Sequence, residues 1–276
     1  MPAAGWGFGV AKAAGINAPD VILAELCIYA SKATGEKFIP HIAPNYRDLA
    51  ERLENGSMGL AWLPPILAVE LEDKGTVAVV ALPIRKGMVS YHCAFITRKG
   101  GPRTLAECAG KSVAWIDRES ASGYVIPRLH LAAQGFDVGT FFQKESFLGT
   151  HPAVIDAVLA GRADVGVTFC NFDPVTKQIL NAGWTEADGQ SHRPVQLIET
   201  AGPIPNDAIV VSTKLSPTLR SSLTRWLLQI NPAEKELFQR LVRASEFRVT
   251  PQSHFEPLRH MIRTARVRGF SLPPPR

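Results

Sequence analysis

Four small or polar residues, Ser120, Ala121, Ser122 and Gly123, follow an apolar run at 112–116 and precede an apolar pattern through Leu131 and Ala132. The run has the composition of a buried strand, and the pattern after it that of a helix. The four residues therefore fall where a strand turns into a helix N-terminus. The first N–H groups of a helix lack intrahelical acceptors, and the helix dipole favours negative charge there. Small side chains let an anion approach those N–H groups, and two hydroxyls can add bonds. The plainer role for Ser120 or Ser122 is that of an N-cap. A second corner of the same kind stands at Gly149-Thr150-His151-Pro152. Thr150 can cap the helix that follows, and His151 sits in its first turn. The positive end of that dipole disfavours an imidazolium, so a neutral, donating ring is expected. The plainer role for His151 is a ring bonded to backbone. Together the two corners suit a tetrahedral oxyanion such as phosphate or phosphonate.

Other chemistry finds little support. The seven histidines (His41, His92, His130, His151, His192, His254 and His260) include no pair at metal-ligand spacing. No nucleophile, base and orienting group come together in the sequence, and no cofactor is expected. His92, between Tyr91 and Cys93, is the one other histidine that stands out, though an outward strand residue would look the same. Cys27, Cys93, Cys108 and Cys170 lie in or beside apolar runs without a C-x-x-C pair, which points to buried free thiols. Cys93 and Cys170 could be neighbours.

The elements needed to position the corners can be read in order. Strands are expected at 6–10, 37–42, 58–63 and 76–82, alternating with helices that start near Asn17 and Pro19, at Asn45, and through Ala68 and Leu71. In the helix capped by Asn45, Tyr46, Leu49, Ala50 and Leu53 recur at i, i+3, i+4 and i+7. This βαβ alternation predicts a mostly parallel sheet with helices on both faces. A second series follows, with strands at 91–97, 112–116, 144–148 and 164–169. Thr104 and Glu107 have capping-box spacing. Val154, Ile155, Val158 and Leu159 form an amphipathic helix closed by Gly161. Residues 171–193 pattern weakly, with a helix expected at 175–180 and then a loop. Strands at 195–199 and 209–211 flank a turn at 203–207. Ser216-Pro217 and Asn231-Pro232 start two helices, and Phe255, Leu258 and Ile262 mark a last one.

The bulk numbers agree with such a protein. A chain of 276 residues with 46% hydrophobic and 20% charged residues can bury a large core or two lobes. The apolar runs are too short to span a bilayer. The net charge of +5 is spread along the chain, apart from Arg259, Arg263, Arg266 and Arg268. No aromatic residues interleave there in a nucleic-acid pattern, so a solvated helix face accounts for the run and no nucleic-acid partner is expected. Residues 6–10 read as a strand with no basic segment and apolar stretch ahead of it. The chain as it stands is expected in the cytoplasm, or outside it if a signal has been removed. No helix-turn-helix precedes the first strand, which argues against a transcriptional effector domain.

Several motifs occur in order. They are Ser120-x-Ser122-Gly123-Tyr124-x-x-Pro127, Gly149-Thr150-His151, Val158-x-x-Gly161-x-Ala163-Asp164-Val165-Gly166 and Pro203-Ile-Pro-Asn206-Asp207. With Tyr46-x-x-Leu49, Gly59-x-Ala-Trp62-x-Pro64, Ser90-Tyr91 and Phe255-x-Pro257-Leu258, they cover nearly the whole chain. The set resembles the phosphonate-binding (PhnD-like) family of ABC-transporter substrate-binding proteins. The resemblance implies an α/β, two-lobed type II periplasmic-binding-protein fold, each lobe a mostly parallel doubly wound sheet with the ligand cleft between them. Lobe 1 would be 1–88 plus 200–276, lobe 2 would be 89–199, and the crossovers would lie near 86–91 and 198–203. Ser120, Ala121, Ser122, Gly123, Thr150 and His151 would hold the oxyanion. Tyr46 and Tyr91 would approach it, and Asp207 would meet a cationic or hydroxyl part of the ligand. By themselves, Tyr46 reads as a core aromatic and Asp207 as a turn residue. Ala121 stands where the family has a hydroxyl, and Thr168 to Asn171 where aminophosphonate binders place an acidic group. The partners implied are a small anion and an ABC permease or a signalling protein, with the chain itself a monomer. An enzyme on the same fold, like thiamin-pyrimidine synthases or menaquinone-pathway enzymes, is the alternative.

Overall fold

The computed structural model describes residues 5–12, 18–118, 120–173, 175–186, 188–189 and 191–271. Its elements run β1 (Trp6–Ala11), α1 (Pro19–Thr34), β2 (Phe38–Ala43), α2 (Tyr46–Asn55), β3 (Met58–Leu63), α3 (Pro65–Asp73), β4 (Val77–Pro83) and β5 (Ser90–Arg98). There follow β6 (Ser112–Trp115), α4 (Ile126–Gln134), β7 (Lys144–Phe147), α5 (His151–Leu159), β8 (Val165–Phe172), β9 (Ile179–Ala182) and β10 (Val195–Pro205). The chain ends with β11 (Ala208–Ser212), α6 (Pro217–Leu228), α7 (Pro232–Val242), β12 (Phe247–Arg248) and α8 (Glu256–Val267). No helix among the described residues is long and apolar enough to cross a membrane. Asn17, expected to start the first helix, lies outside the described residues.

The chain divides into two units. The first takes in the described residues up to Val89 together with Pro205–Phe255. Its sheet has the order β12-β4-β11-β3-β1-β2. β1, β2 and β3 are parallel, as a βαβ series requires. β4 does not continue that series. β11, from far along the chain, inserts between β3 and β4 and runs antiparallel to both. The sheet is therefore mixed around a parallel core. Phe8 and Val10 of β1, Ile22, Leu23 and Leu26 of α1, Leu223 and Leu227 of α6, and Phe238 and Leu241 of α7 are buried together. Each such side chain contributes about 1.5–3 kcal/mol by leaving water. Local chemistry sets the helix starts. The Asn45 side chain accepts from the Asp48 N–H, and the Ser216 hydroxyl from the Leu219 N–H. Asn231 and Glu234 form a full capping box.

The second unit comprises Ser90–Ile204 and the described residues from Glu256 on. Its sheet has the order β10-β5-β8-β6-β7. β6 is parallel to β7 and β8, and β5 is antiparallel to β8. β9 is antiparallel to β8 and pairs with residues 170–172, beyond the stretch of β8 that β6 pairs. The helix expected at 175–180 is not there; this stretch is the turn and return strand of a hairpin. The Asp173 carboxylate accepts from the N–H groups of Val175 and Thr176, and Lys177 takes a positive φ of 60°. That local bonding offers the backbone an alternative to a helix. α8 also departs from expectation. Its sequence position grouped it with the first lobe, but it packs against α4 in the second unit, with Leu258, Ile262 and Ala265 buried. The chain therefore passes from one unit to the other a third time, after Phe255.

Candidate functional site

The two expected anion corners belong to the second unit, at the carboxyl ends of neighbouring parallel strands. β6 ends at Trp115, and after Ser120 the chain enters a single π-helical turn, Ala121–Val125, that runs on into α4. Ser120 is the cap, its hydroxyl accepting from the Gly123 N–H at 3.0 Å. The N–H groups of Ala121 and Ser122 precede that first bond. Glycine is required at 123 by space, because an added Cβ would stand 2.1 Å from Ile116 Cγ1. Ser122 is 8% exposed. With alanine at 121, Ser120 and Ser122 are the two aliphatic hydroxyls of this corner.

The second corner is tied to the first by backbone. Leu148 and Gly149 donate to the carbonyls of Trp115 and Ile116 at 3.0 and 2.8 Å. Gly149 has φ 78°, which favours glycine and turns the chain into α5. Thr150 caps α5, accepting from the Ala153 N–H at 3.3 Å. Pro152 follows His151 and has no N–H of its own, so the His151 N–H is the donor ahead of the capped one. Each capping hydroxyl accepts from backbone and retains its own hydrogen to donate.

His151 carries the electrostatics. Its Nδ1 lies 2.7 Å from the Thr168 hydroxyl in the middle of β8, and its ring meets Phe169 edge-on at 4.9 Å. Burial pushes its pKa down to about 4, with the Asp117 charge opposing. The ring is neutral, and the cause is desolvation, where the sequence suggested the helix dipole. Thr168 was not picked from sequence. The available signal was a hydroxyl inside an otherwise apolar strand, and it is fully buried.

The remaining expected residues divide between the units. Tyr91 lies near the start of β5; His92 pairs in register with Cys170, so Tyr91 is level with the carboxyl end of β8. Tyr46 and Asp207 belong to the first unit. Tyr46 opens α2 beside the Asn45 cap. Asp207 is not in a turn, because 203–205 are part of β10 and Asn206 locks the junction. Asn206 is 3% exposed and donates from Nδ2 to the carbonyls of Pro83 and Met88. Arg85 donates to the Asp207 carboxylate at 2.9 Å, a partner that sequence distance concealed.

His92 is half-buried, its Nδ1 lacks a hydrogen-bond partner, and burial lowers its pKa. The four thiols are buried and free, with Cys93 and Cys170 on adjacent strands one register step apart. Among the described residues, no three His, Cys, Asp or Glu side chains gather as metal ligands.

Solved structures with this architecture include three that span nearly the whole chain. A Xanthomonas citri protein bound to ATP is 19% identical with a TM-score of 0.70, covering 96% of this chain and 98% of that one. A binding-protein component of an ABC phosphonate transporter from Pseudomonas aeruginosa is 19% identical with a TM-score of 0.61, covering 96% and 87%. PhnD1 from Prochlorococcus marinus, in complex with methylphosphonate, is 14% identical with a TM-score of 0.62, covering 95% and 98%. These likenesses establish the fold, that of type II periplasmic binding proteins. The sequence family described as ABC transporter, phosphonate, periplasmic substrate-binding protein matches residues 21–255. On that match, which takes in most of both units, the chain belongs to the phosphonate-binding family of ABC-transporter substrate-binding proteins.

Proposed function

We propose that this protein captures a small phosphorus oxyanion and that the second unit supplies the groups that hold it. The observation that carries this reading is the pair of capped helix starts at the ends of β6 and β7, joined by the Gly149 to Ile116 hydrogen bond. The N–H groups of Ala121, Ser122 and His151 and the hydroxyls of Ser120, Ser122 and Thr150 are the donors. A phosphonate presents three oxygens to such a set, and helix N-termini favour its charge. We assign Nδ1, 2.7 Å from the Thr168 hydroxyl, as the acceptor of that contact, which puts the ring's hydrogen on Nε2 as one more donor. A neutral ring bonds the anion without a counter-charge that would hold it too tightly for release. Release matters because the family delivers its ligand to an ABC permease, the partner we assign here.

Isothermal titration tests this with phosphate, phosphite, methylphosphonate, ATP, sulfate and acetate. Phosphorus oxyanions should bind. Ser122→Ala and His151→Ala should each weaken binding about tenfold, the equivalent of one lost hydrogen bond to a charged group. Unchanged affinity in both variants would remove these residues from the site. ATP binding in preference to the small anions would make the ligand a phosphoester.

A further inference from the structure

Among the described residues, the chain passes between its two units three times, after Val89, after Ile204 and after Phe255. In binding proteins of this fold, such connecting segments absorb the backbone changes of opening and closing. We infer that His254 is an acid-sensitive pin on this hinge: its neutral ring helps to gather the three passages at the Val89 carbonyl, and protonation in mildly acidic solution lets the third passage go. The pin does not depend on which ligand the protein takes.

All three passages meet on the first unit's side. Val89 is the last residue before the first passage. Asn206, the second residue after the second passage, donates its N–H to the Val89 carbonyl at 2.8 Å, and its side chain holds the carbonyls of Pro83 and Met88. His254 stands just before the third passage, in a helical turn, Gln252–Phe255, where its N–H bonds the Pro251 carbonyl at 2.9 Å. Its ring meets Phe255 edge-on at 5.7 Å and bonds the backbone of Val89. That bond favours the protonated ring, as a bond to a carbonyl does and a bond from an N–H does not. Nε2 is buried and has no partner among the described residues, so Nδ1 is the donor. The two lone pairs of the Val89 carbonyl are thus taken by donors from the other two passages.

This arrangement suits one charge state of the ring. The neutral form donates from Nδ1 and leaves Nε2 an acceptor without a donor. A proton on Nε2 would put a charge and a second N–H in a buried place with nothing to receive them. The Thr250 hydroxyl, four residues earlier, is buried and unpartnered as well, so this segment does not carry a full set of bonds. The charged side chains of the surrounding segments are engaged elsewhere or exposed. Arg85 of the first passage bonds Asp207 of the second at 2.9 Å, and Glu256 of the third pairs with Arg259 and Arg263. Lys86, Arg248 and Glu246 are exposed, and water and salt screen them. Burial lowers the pKa of His254, and the Val89 bond offsets that only in part.

Hydrogen–deuterium exchange of the full chain at pH 7.5 and pH 5.0 tests the pin, with each rate referred to the denatured chain at the same pH. A ring that regains its ordinary pKa of 6.5 once freed can raise the open population by at most about thirtyfold at pH 5.0. His254→Asn keeps a donor near the Nδ1 position and does not titrate. Between the two pH values, segments 84–90 and 247–256 of the unaltered protein should lose at least about threefold more protection than those of His254→Asn. His254→Ala removes the donor and should leave the same segments at least about threefold less protected at pH 7.5. Equal acid losses in the unaltered protein and His254→Asn overturn the pin, and so does full protection in His254→Ala. NMR of the unaltered chain gives a check that needs no variant. The His254 ring signal should reach its protonated position over the pH range in which the Asn206 N–H loses protection. A ring that protonates while that N–H stays protected overturns the pin.

Discussion

The depressed pKa of His151 makes the stability of the protein depend on pH in a way that one substitution can isolate. Its folded-state pKa is about 4, against an ordinary value of 6.5, because burial disfavours the imidazolium. Above pH 6.5 the ring is neutral in the folded and unfolded chains alike, and its full contribution is present. As the pH falls below 6.5, the unfolded chain takes up a proton that the folded chain does not. Stability then drops by about 1.4 kcal/mol per pH unit, until the folded ring also ionises near pH 4. By pH 4.5 the loss is roughly 2.5 kcal/mol. His151→Asn removes the titrating ring and keeps an acceptor for the Thr168 hydroxyl, which lies 2.7 Å from Nδ1. Urea unfolding followed by tryptophan fluorescence, at pH 7.5 and pH 4.5, gives the comparison. The unaltered protein should lose about 2.5 kcal/mol more than the variant between the two pH values. His92 and His254, also lowered by burial, titrate in both proteins and cancel. Equal losses in the two proteins would show that His151 is already solvated in the folded state, and the neutral-donor argument would go with it.

Three further outcomes follow from packing. Gly123→Ala forces a Cβ to 2.1 Å from Ile116 Cγ1 and should cost at least about 2 kcal/mol, read as a lowered thermal midpoint. Asn206→Ala orphans the carbonyls of Pro83 and Met88 and should cost about 1–3 kcal/mol in urea unfolding; a change under about 0.5 kcal/mol would mean water replaces the amide. The thiols of Cys27, Cys108 and Cys170 are pushed up to about 12 by burial, so a thiolate-specific reagent at pH 8 should label them only after denaturant is added.

The local structure of the candidate site was legible because its signals are local. Ser120 and Thr150 reveal themselves as caps by lying between an apolar run and a helical period, and capping needs no residue more than a turn away. His151 was legible as a first-turn residue for the same reason. Thr168 was not, since its role depends on a contact across seventeen positions. The strand at 179–182 was hidden as well, because weak patterning pointed to a helix where the Asp173 turn makes a hairpin.

The same division holds for the fold. Apolar periodicity and cap chemistry within the sequence determined most of the elements, the two α/β series and the two capped helix starts at 120 and 150, because each depends on residues a few positions apart. Only the tertiary structure decided the insertion of β11 between β3 and β4, the docking of α8 on α4, the Arg85–Asp207 ion pair, and the burial that holds His151 neutral. Those depend on which distant surfaces exclude water from one another, and spacing along the chain carries no record of that.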